Sequence, residues 1–172
     1  MKKFIFFIFI CKCFFITSSK SESIKDIIIN GNDRISNETI LMFANIDVGQ
    51  DFDDQDLNRV LKDLYNSNFF KNVSIDFKNN SLFIKVVEAP IIKEININGV
   101  KAKKNREKIL KNLNLKSRSS YNEYSLFEEK EFILSTLREL GFYFATVDTF
   151  VETLENNMVN INHNIDLGKK AK

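Results

Sequence analysis

From Ile24 onward the chain alternates stretches with an apolar residue at every second position and stretches with one at every third or fourth. Ile24 to Asn30 reads as a strand closed by Gly31, which lacks a Cβ and so permits a left-handed exit. Ser36 is placed to cap a short helix running through Ala44, with Ile40, Phe43 and Ala44 as its apolar stripe. After a loop at Gly49 to Asp51, a second helix is expected over Asp54 to Ser67. There Leu57, Val60, Leu61, Leu64 and Tyr65 follow the i, i+3, i+4, i+7, i+8 spacing of one buried face. Asp53, Asp54 and Asp56 lie at the start of this helix, where acids complement the dipole. Val73, Ile75 and Phe77 then alternate with Asn72, Ser74, Asp76 and Lys78, which gives a strand with one core face and one wet face. A two-residue turn at Asn79-Asn80 would pair Phe77 with Leu82, Ile75 with Ile84 and Val73 with Val86. Every apolar residue then meets an apolar partner, and a slip of one residue would set core against solvent.

The pattern is written twice. Ile24-Lys25-Asp26-Ile27-Ile28-Ile29-Asn30-Gly31 matches Ile92-Lys93-Glu94-Ile95-Asn96-Ile97-Asn98-Gly99 at a spacing of 68. Leu61, Leu64 and Phe69-Phe70 match Leu134, Leu137 and Phe142-Tyr143 at a spacing of 73. The second copy is therefore about five residues longer, and the expected place for them is the surface loop between its helices. Pro90, the one proline, falls between the copies, where it can end a strand and stiffen the joint. In the second copy, helices are expected near Asn105 to Asn112 and over Leu126 to Leu140, the latter with a capping box from Ser125 and Glu128. Its hairpin, Phe142 to Glu155 and Met158 to Leu167, turns at Asn156-Asn157. A two-residue loop sets Glu152 against Ile161, whereas a three-residue loop is expected to pair Thr153 with Ile161 and Val151 with His163, so the pattern leaves this register open. The fold class is α+β: two tandem β-α-α-β-β domains, residues 22–90 and 91–168, each a three-stranded mixed sheet with two helices on one face.

The N-terminus has a different character. Met1-Lys2-Lys3 is basic, Phe4 to Cys11 is an unbroken apolar run, and apolar residues resume from Cys13 to Ile16 ahead of Thr17-Ser18-Ser19. Residues 1–19 therefore read as a cleaved secretory signal peptide, too short in apolar length for the roughly 20 residues of a membrane span. Ile10 and Lys12 precede the cysteines where lipid attachment would need a small residue. Cleavage removes Cys11 and Cys13, and with them disulfides, thiolate chemistry and Cys-ligated metal. Loss of Lys2, Lys3 and Lys12 leaves 22 basic against 23 acidic residues, which argues against binding nucleic acid or anionic lipid by bulk charge. Overall the chain is 44% hydrophobic and 28% charged, a globular balance over 172 residues.

Catalytic chemistry is not visible. His163, the one imidazole, is in step with Val159, Ile161 and Ile165, the position of a satisfied or edge histidine rather than a ligand. Asp53, Asp54 and Asp56 lack the glycine and distal glutamate of a calcium loop, so a capped helix start is expected and no metal. There is no phosphate-binding glycine loop and no Ser/His/Asp set, so neither cofactor nor enzyme activity is expected. Lys101, Lys103, Lys104, Arg106 and Lys108 read as a solvated helix face.

Longer runs are more specific. Asn30-Gly31-Asn32-Asp33-Arg34-Ile35-Ser36-Asn37-Glu38-Thr39-Ile40 resembles the opening of a POTRA domain, as found in the BamA family of outer-membrane assembly factors. Gly49, Phe52, Asp56-Leu57, Leu61, Leu64-Tyr65, Ser67, Phe69-Phe70 and Val73 continue that resemblance in order, and Val87-Glu88-Ala89-Pro90 resembles the junction between successive POTRA domains. Two residues depart from it. Asn68 stands where the family has Gly, and Val100 replaces the Asn that follows the glycine. The family's membrane β-barrel has no counterpart in this sequence, and Gly168 to Lys172 resembles the junction to a third domain, so a fragment of a longer precursor is expected.

The resemblance implies a periplasmic scaffold at the outer membrane of a Gram-negative bacterium. Its partners would be unfolded outer-membrane β-barrel proteins, accessory assembly lipoproteins and, through the barrel, the membrane itself. A three-stranded sheet also leaves an edge whose backbone can pair with an incoming chain. The second strand of each copy is the candidate edge, with Val73, Ser74, Ile75, Asp76 and Phe77 in the first and Phe144, Thr146, Val147, Thr149 and Val151 in the second. The alternatives are an FtsQ-like cell-division scaffold anchored by residues 4–16 and the POTRA region of a two-partner secretion or autotransporter-assembly protein.

Overall fold

The computed structural model describes residues 21–169; the expected signal peptide and the last three residues lie outside them. In the first repeat, β1 (Glu22–Ser23) pairs antiparallel with β3 (Asp51–Phe52). The main sheet is built from β2 (Asp26–Asn30), β4 (Phe70–Lys78) and β5 (Ser81–Glu88), with helices α1 (Asn37–Ala44) and α2 (Asp54–Asn66) between β2 and β4. The second repeat has β6 (Ile91–Asn98), α3 (Lys103–Lys111), α4 (Glu123–Glu139), β7 (Thr146–Leu154) and β8 (Met158–Asp166). The strand order is β2-β5-β4 in one sheet and β6-β8-β7 in the other. The last strand of each repeat is thus central, parallel to the first and antiparallel to its hairpin partner.

Local chemistry accounts for most boundaries. Ser36 accepts the Thr39 N–H at the head of α1. Asp53 accepts from Gln55 and Asp56 while Asp56 accepts the Asp53 N–H, a reciprocal box at the head of α2. The three acids expected there are thus engaged in starting a helix, with Asp56 also paired to Arg59. Asn79 and Asn80 both take positive φ, the geometry of the tight hairpin turn, and the β4–β5 pairs are Phe77↔Leu82, Ile75↔Ile84 and Val73↔Val86. The core of this repeat, which includes Ile40, Val60, Leu64, Leu82, Ile84 and Val86, lies between the helices and that face of the sheet.

The second repeat departs from expectation in four places. α4 begins at Glu123, capped by Asn122 Oδ1 accepting the Ser125 N–H, so Ser125 receives the cap instead of supplying it. α4 has 17 residues against 13 in α2, so the extra length is chiefly one added turn at the N-terminus of the helix rather than loop. The hairpin loop spans Glu155, Asn156 and Asn157, and the pairs are Val151↔Ile161 and Thr149↔His163, neither of the registers weighed from sequence. Finally, β7 begins at Thr146, not Phe142, and Phe144 lies in the preceding turn with its ring exposed.

His163 sits on the central strand and not at an edge. It is fully buried, with Nδ1 2.9 Å from Thr149 Oγ1 and Nε2 3.7 Å from Glu129 Oε2. Glu129, also buried, accepts the Leu115 N–H at 2.8 Å and so ties the α3–α4 loop to α4. Its position on the stripe with Ile133 and Leu137 marks it as inward-facing, a signal available in the sequence. Glu129→Ala leaves a buried amide and a buried imidazole without this carboxylate. It is expected to destabilise the protein by about 3 kcal/mol, against about 1 kcal/mol for Glu129→Gln, measured by urea unfolding. Equal losses would show that the acceptor oxygen contributes nothing.

Candidate strand-docking edges

β4 is an edge strand, bonded to β5 on one side only. Which backbone groups face outward follows from the hairpin. The closing pair of a two-residue turn is hydrogen-bonded across the strands, so Lys78, Asp76 and Ser74 point their N–H and C=O groups at β5. Ile75 and Phe77 therefore present theirs to the free edge, as does Val73, whose N–H indeed leaves the sheet and reaches the Tyr65 hydroxyl at 3.2 Å. Beside this edge, Leu57, Asn58 and Leu61 of α2 and Val73, Ser74 and Ile75 of β4 line an open groove of about 390 Å³. Its apolar floor comes from residues that the helical and strand patterns assign wholly to the core; Leu57, Leu61 and Ile75 are only partly buried. Alternate side chains of a strand added to β4 would fall over this groove.

β7 is the matching edge of the second sheet and carries Thr146, Val147, Thr149 and Val151; Phe144 does not belong to it. Val147 is buried, and Thr149 points inward to His163. The distal end of β7, Val151 and Thr153, borders a larger groove of about 520 Å³ between the repeats, together with Tyr65, Phe70, Tyr121 and Tyr124. The basic residues of α3 are exposed, with Lys108 reaching Glu139 at 3.1 Å and Lys103 reaching Glu107 at 3.8 Å.

At the end of β5, next to the junction, stands a carboxylate that sequence reasoning did not single out and that closes the loop after β2 within the first repeat. Glu88 Oε1 accepts the N–H groups of Asp33, Arg34 and Ile35 at 2.8, 2.8 and 2.9 Å. Its Oε2 lies 2.8 Å from Arg34 Nε, and Arg34 also donates to the Ala89 carbonyl. Asn157 donates to the Glu88 carbonyl and Asn122 to Asn68 Oδ1, so the two repeats are bonded to each other directly. Burial pushes the Glu88 carboxyl up, but the Ile35, Asp33 and Arg34 amides and the Arg34 charge outweigh it and hold it below the ordinary value of 4.5.

The departures noted in the sequence acquire physical reasons here. Asn68 takes φ 60°, the left-handed conformation that Gly adopts most readily and that Asn tolerates. Gly31 abuts the Val86 carbonyl and Gly99 abuts that of Ile165, so Leu167 corresponds to Glu88. Where the first repeat uses Asn32 bonded to the Ile35 carbonyl and Glu88 as a clamp, the second packs Val100 and Leu167 into its core.

Among the described residues no group of three or more His, Cys, Asp or Glu could hold a metal, and no helix is long and apolar enough to cross a membrane. What the geometry defines is a pair of small domains with free strand edges. The chain belongs to the POTRA family: the family model, described as "Surface antigen variable number repeat", matches residues 22–89 and 90–168. It is similar to the outer membrane protein assembly factor BamA of Neisseria meningitidis serogroup B, 28% identical over 152 residues, covering 87% of this chain and 19% of that protein. BamA of Neorickettsia risticii is 33% identical over 81 residues, covering 47% of this chain and 11% of that protein. The chain therefore spans less than a fifth of the length of these relatives. In fold it resembles POTRA1-2 of the periplasmic domain of Omp85 from Anabaena, with a TM-score of 0.53 at 13% identity, covering 90% of this chain and all of that one. The N-terminal domain of Omp85 from Thermosynechococcus elongatus gives a TM-score of 0.57 at 13% identity, over 84% of this chain and 63% of that one.

Proposed function

We propose that residues 22–90 and 91–168 are two POTRA domains of the periplasmic scaffold of an outer-membrane β-barrel assembly factor, exported by a cleaved signal peptide formed by residues 1–19. The scaffold receives unfolded outer-membrane proteins by pairing their extended segments with a sheet edge, and accessory assembly lipoproteins are its further partners. The observation that carries this is the β4 edge, where the outward N–H and C=O groups of Ile75 and Phe77 lie next to an apolar groove. Backbone pairing tolerates sequence variety, which suits clients that share only an alternating pattern. β7 is the second candidate edge, through Thr146, Val147, Thr149 and Val151.

Ile75→Pro tests the edge without dismantling the sheet, because the lost N–H points away from β5. Affinity for an alternating valine-threonine peptide is expected to fall about tenfold or more, read by fluorescence anisotropy, with the far-ultraviolet circular dichroism of the parent retained. Undiminished binding by a folded Ile75→Pro protein would remove β4 as the docking edge.

A further inference from the structure

The free edge of β4 is not free along its whole length. Tyr65, near the end of α2, places its hydroxyl over the N-terminal part of the strand, where it donates to Asn72 Oδ1 at 3.0 Å and accepts the Val73 N–H at 3.2 Å. A single hydroxyl can hold both bonds because it is at once a donor and an acceptor. Along the regular part of the β4–β5 ladder, the outward-facing Val73 amide precedes those of Ile75 and Phe77. Tyr65 is 41% exposed and lines the groove between the repeats, so its ring borders open space. Its position on the helical stripe marks it as a core residue, yet its polar end acts at the strand edge.

Resting on β4 as the docking edge, we propose that Tyr65 is a latch on it: its hydroxyl occupies the Val73 amide and must be displaced before an added strand can pair beyond Ile75. Sheet edges are commonly blunted against unwanted pairing, and here the blunting group sits on a side chain that can rotate away. An incoming strand that pairs only with Ile75 and Phe77 leaves the latch closed. A longer one exchanges the Tyr65 bond for its own carbonyl and gains the upper part of the edge. The device belongs to the first repeat. The position matching Tyr65 in the second is Arg138, whose guanidinium carries only donors and has no acceptor for a strand amide.

Tyr65→Phe keeps the ring and removes the hydroxyl, so the fold is expected to persist. Two readouts on the full chain apply, with a labelled peptide of alternating valine and threonine as the probe. Amide exchange at Val73 should accelerate in free Tyr65→Phe, and the peptide should bind it about fivefold more tightly than the parent, the size of one modest hydrogen bond no longer displaced. If the peptide protects Ile75 and Phe77 equally in both proteins with the same affinity, the latch is overturned while the docking edge stands. If it protects neither amide in either protein, the docking edge fails and the latch falls with it.

Discussion

Gly31→Ala is expected to destabilise the first repeat by about 3 kcal/mol or more, enough to unfold a domain of marginal stability at modest denaturant. Gly31 has φ +87°, and a Cβ there would stand 2.1 Å from the Val86 carbonyl oxygen. That oxygen belongs to the central strand β5, where Val86 is paired with Val73 of β4 and directly follows Lys85, the last residue paired with β2, so it cannot yield without disturbing the sheet. Gly49 supplies the control. Its φ is +90°, but nothing lies within 4 Å of the added carbon, so Gly49→Ala carries the conformational term alone, about 1 kcal/mol. Guanidinium unfolding of the parent and the two variants separates collision from conformation by their difference. Equal midpoints for the two variants would mean that the approach of the loop to β5 is not close. Gly99, 1.8 Å from the Ile165 carbonyl by the same measure, places the same demand on the second repeat.

Glu88→Ala is the second large effect, at about 3 kcal/mol. One buried carboxylate satisfies three consecutive amides and a guanidinium, and its removal leaves these donors without their acceptor. The loss should carry a pH signature. The folded carboxyl titrates below its unfolded value, so its contribution is complete above the ordinary carboxylate range and disappears as pH falls through the folded value. The parent should therefore lose stability more steeply than Glu88→Ala below about pH 4.5, and the two curves should converge in acid. Curves that stay parallel throughout would show that the charge of Glu88 does not contribute to the clamp. The expected local consequence is a loosened loop at residues 33–35, visible as faster amide exchange there.

The elements most legible in the sequence are those whose physics is local. The β4–β5 register is set by a two-residue turn and by alternation with a period of two, both contained within Val73 to Val86. The start of α2 is set by Asp53 and Asp56, three residues apart, and the left-handed turn at Asn68 by a side chain that tolerates it. The second hairpin resisted because Asn156-Asn157 fits more than one loop length, and β8 alternates asparagine with apolar residues and a histidine. The sequence pattern starts α4 one turn late because Ser125 and Glu128 mimic a capping box, while the working cap, Asn122, stands three residues earlier.

Periodicity and motif spacing are enough to establish two copies of one strand-helix-helix-hairpin unit, the apolar faces of their elements, and the family they resemble. What the polar ends of those elements do depends on how the elements pack. Glu88 meets the 33–35 amides across more than fifty residues of chain, and Glu129 meets His163 across a helix–sheet interface. The Tyr65 hydroxyl lands on the edge of β4, where it bonds Asn72 and the Val73 amide, although the helical stripe assigns its ring to the core. Periodicity records which side of an element is buried. It does not record which group of a distant element will stand opposite, since that depends on how the two layers settle against each other.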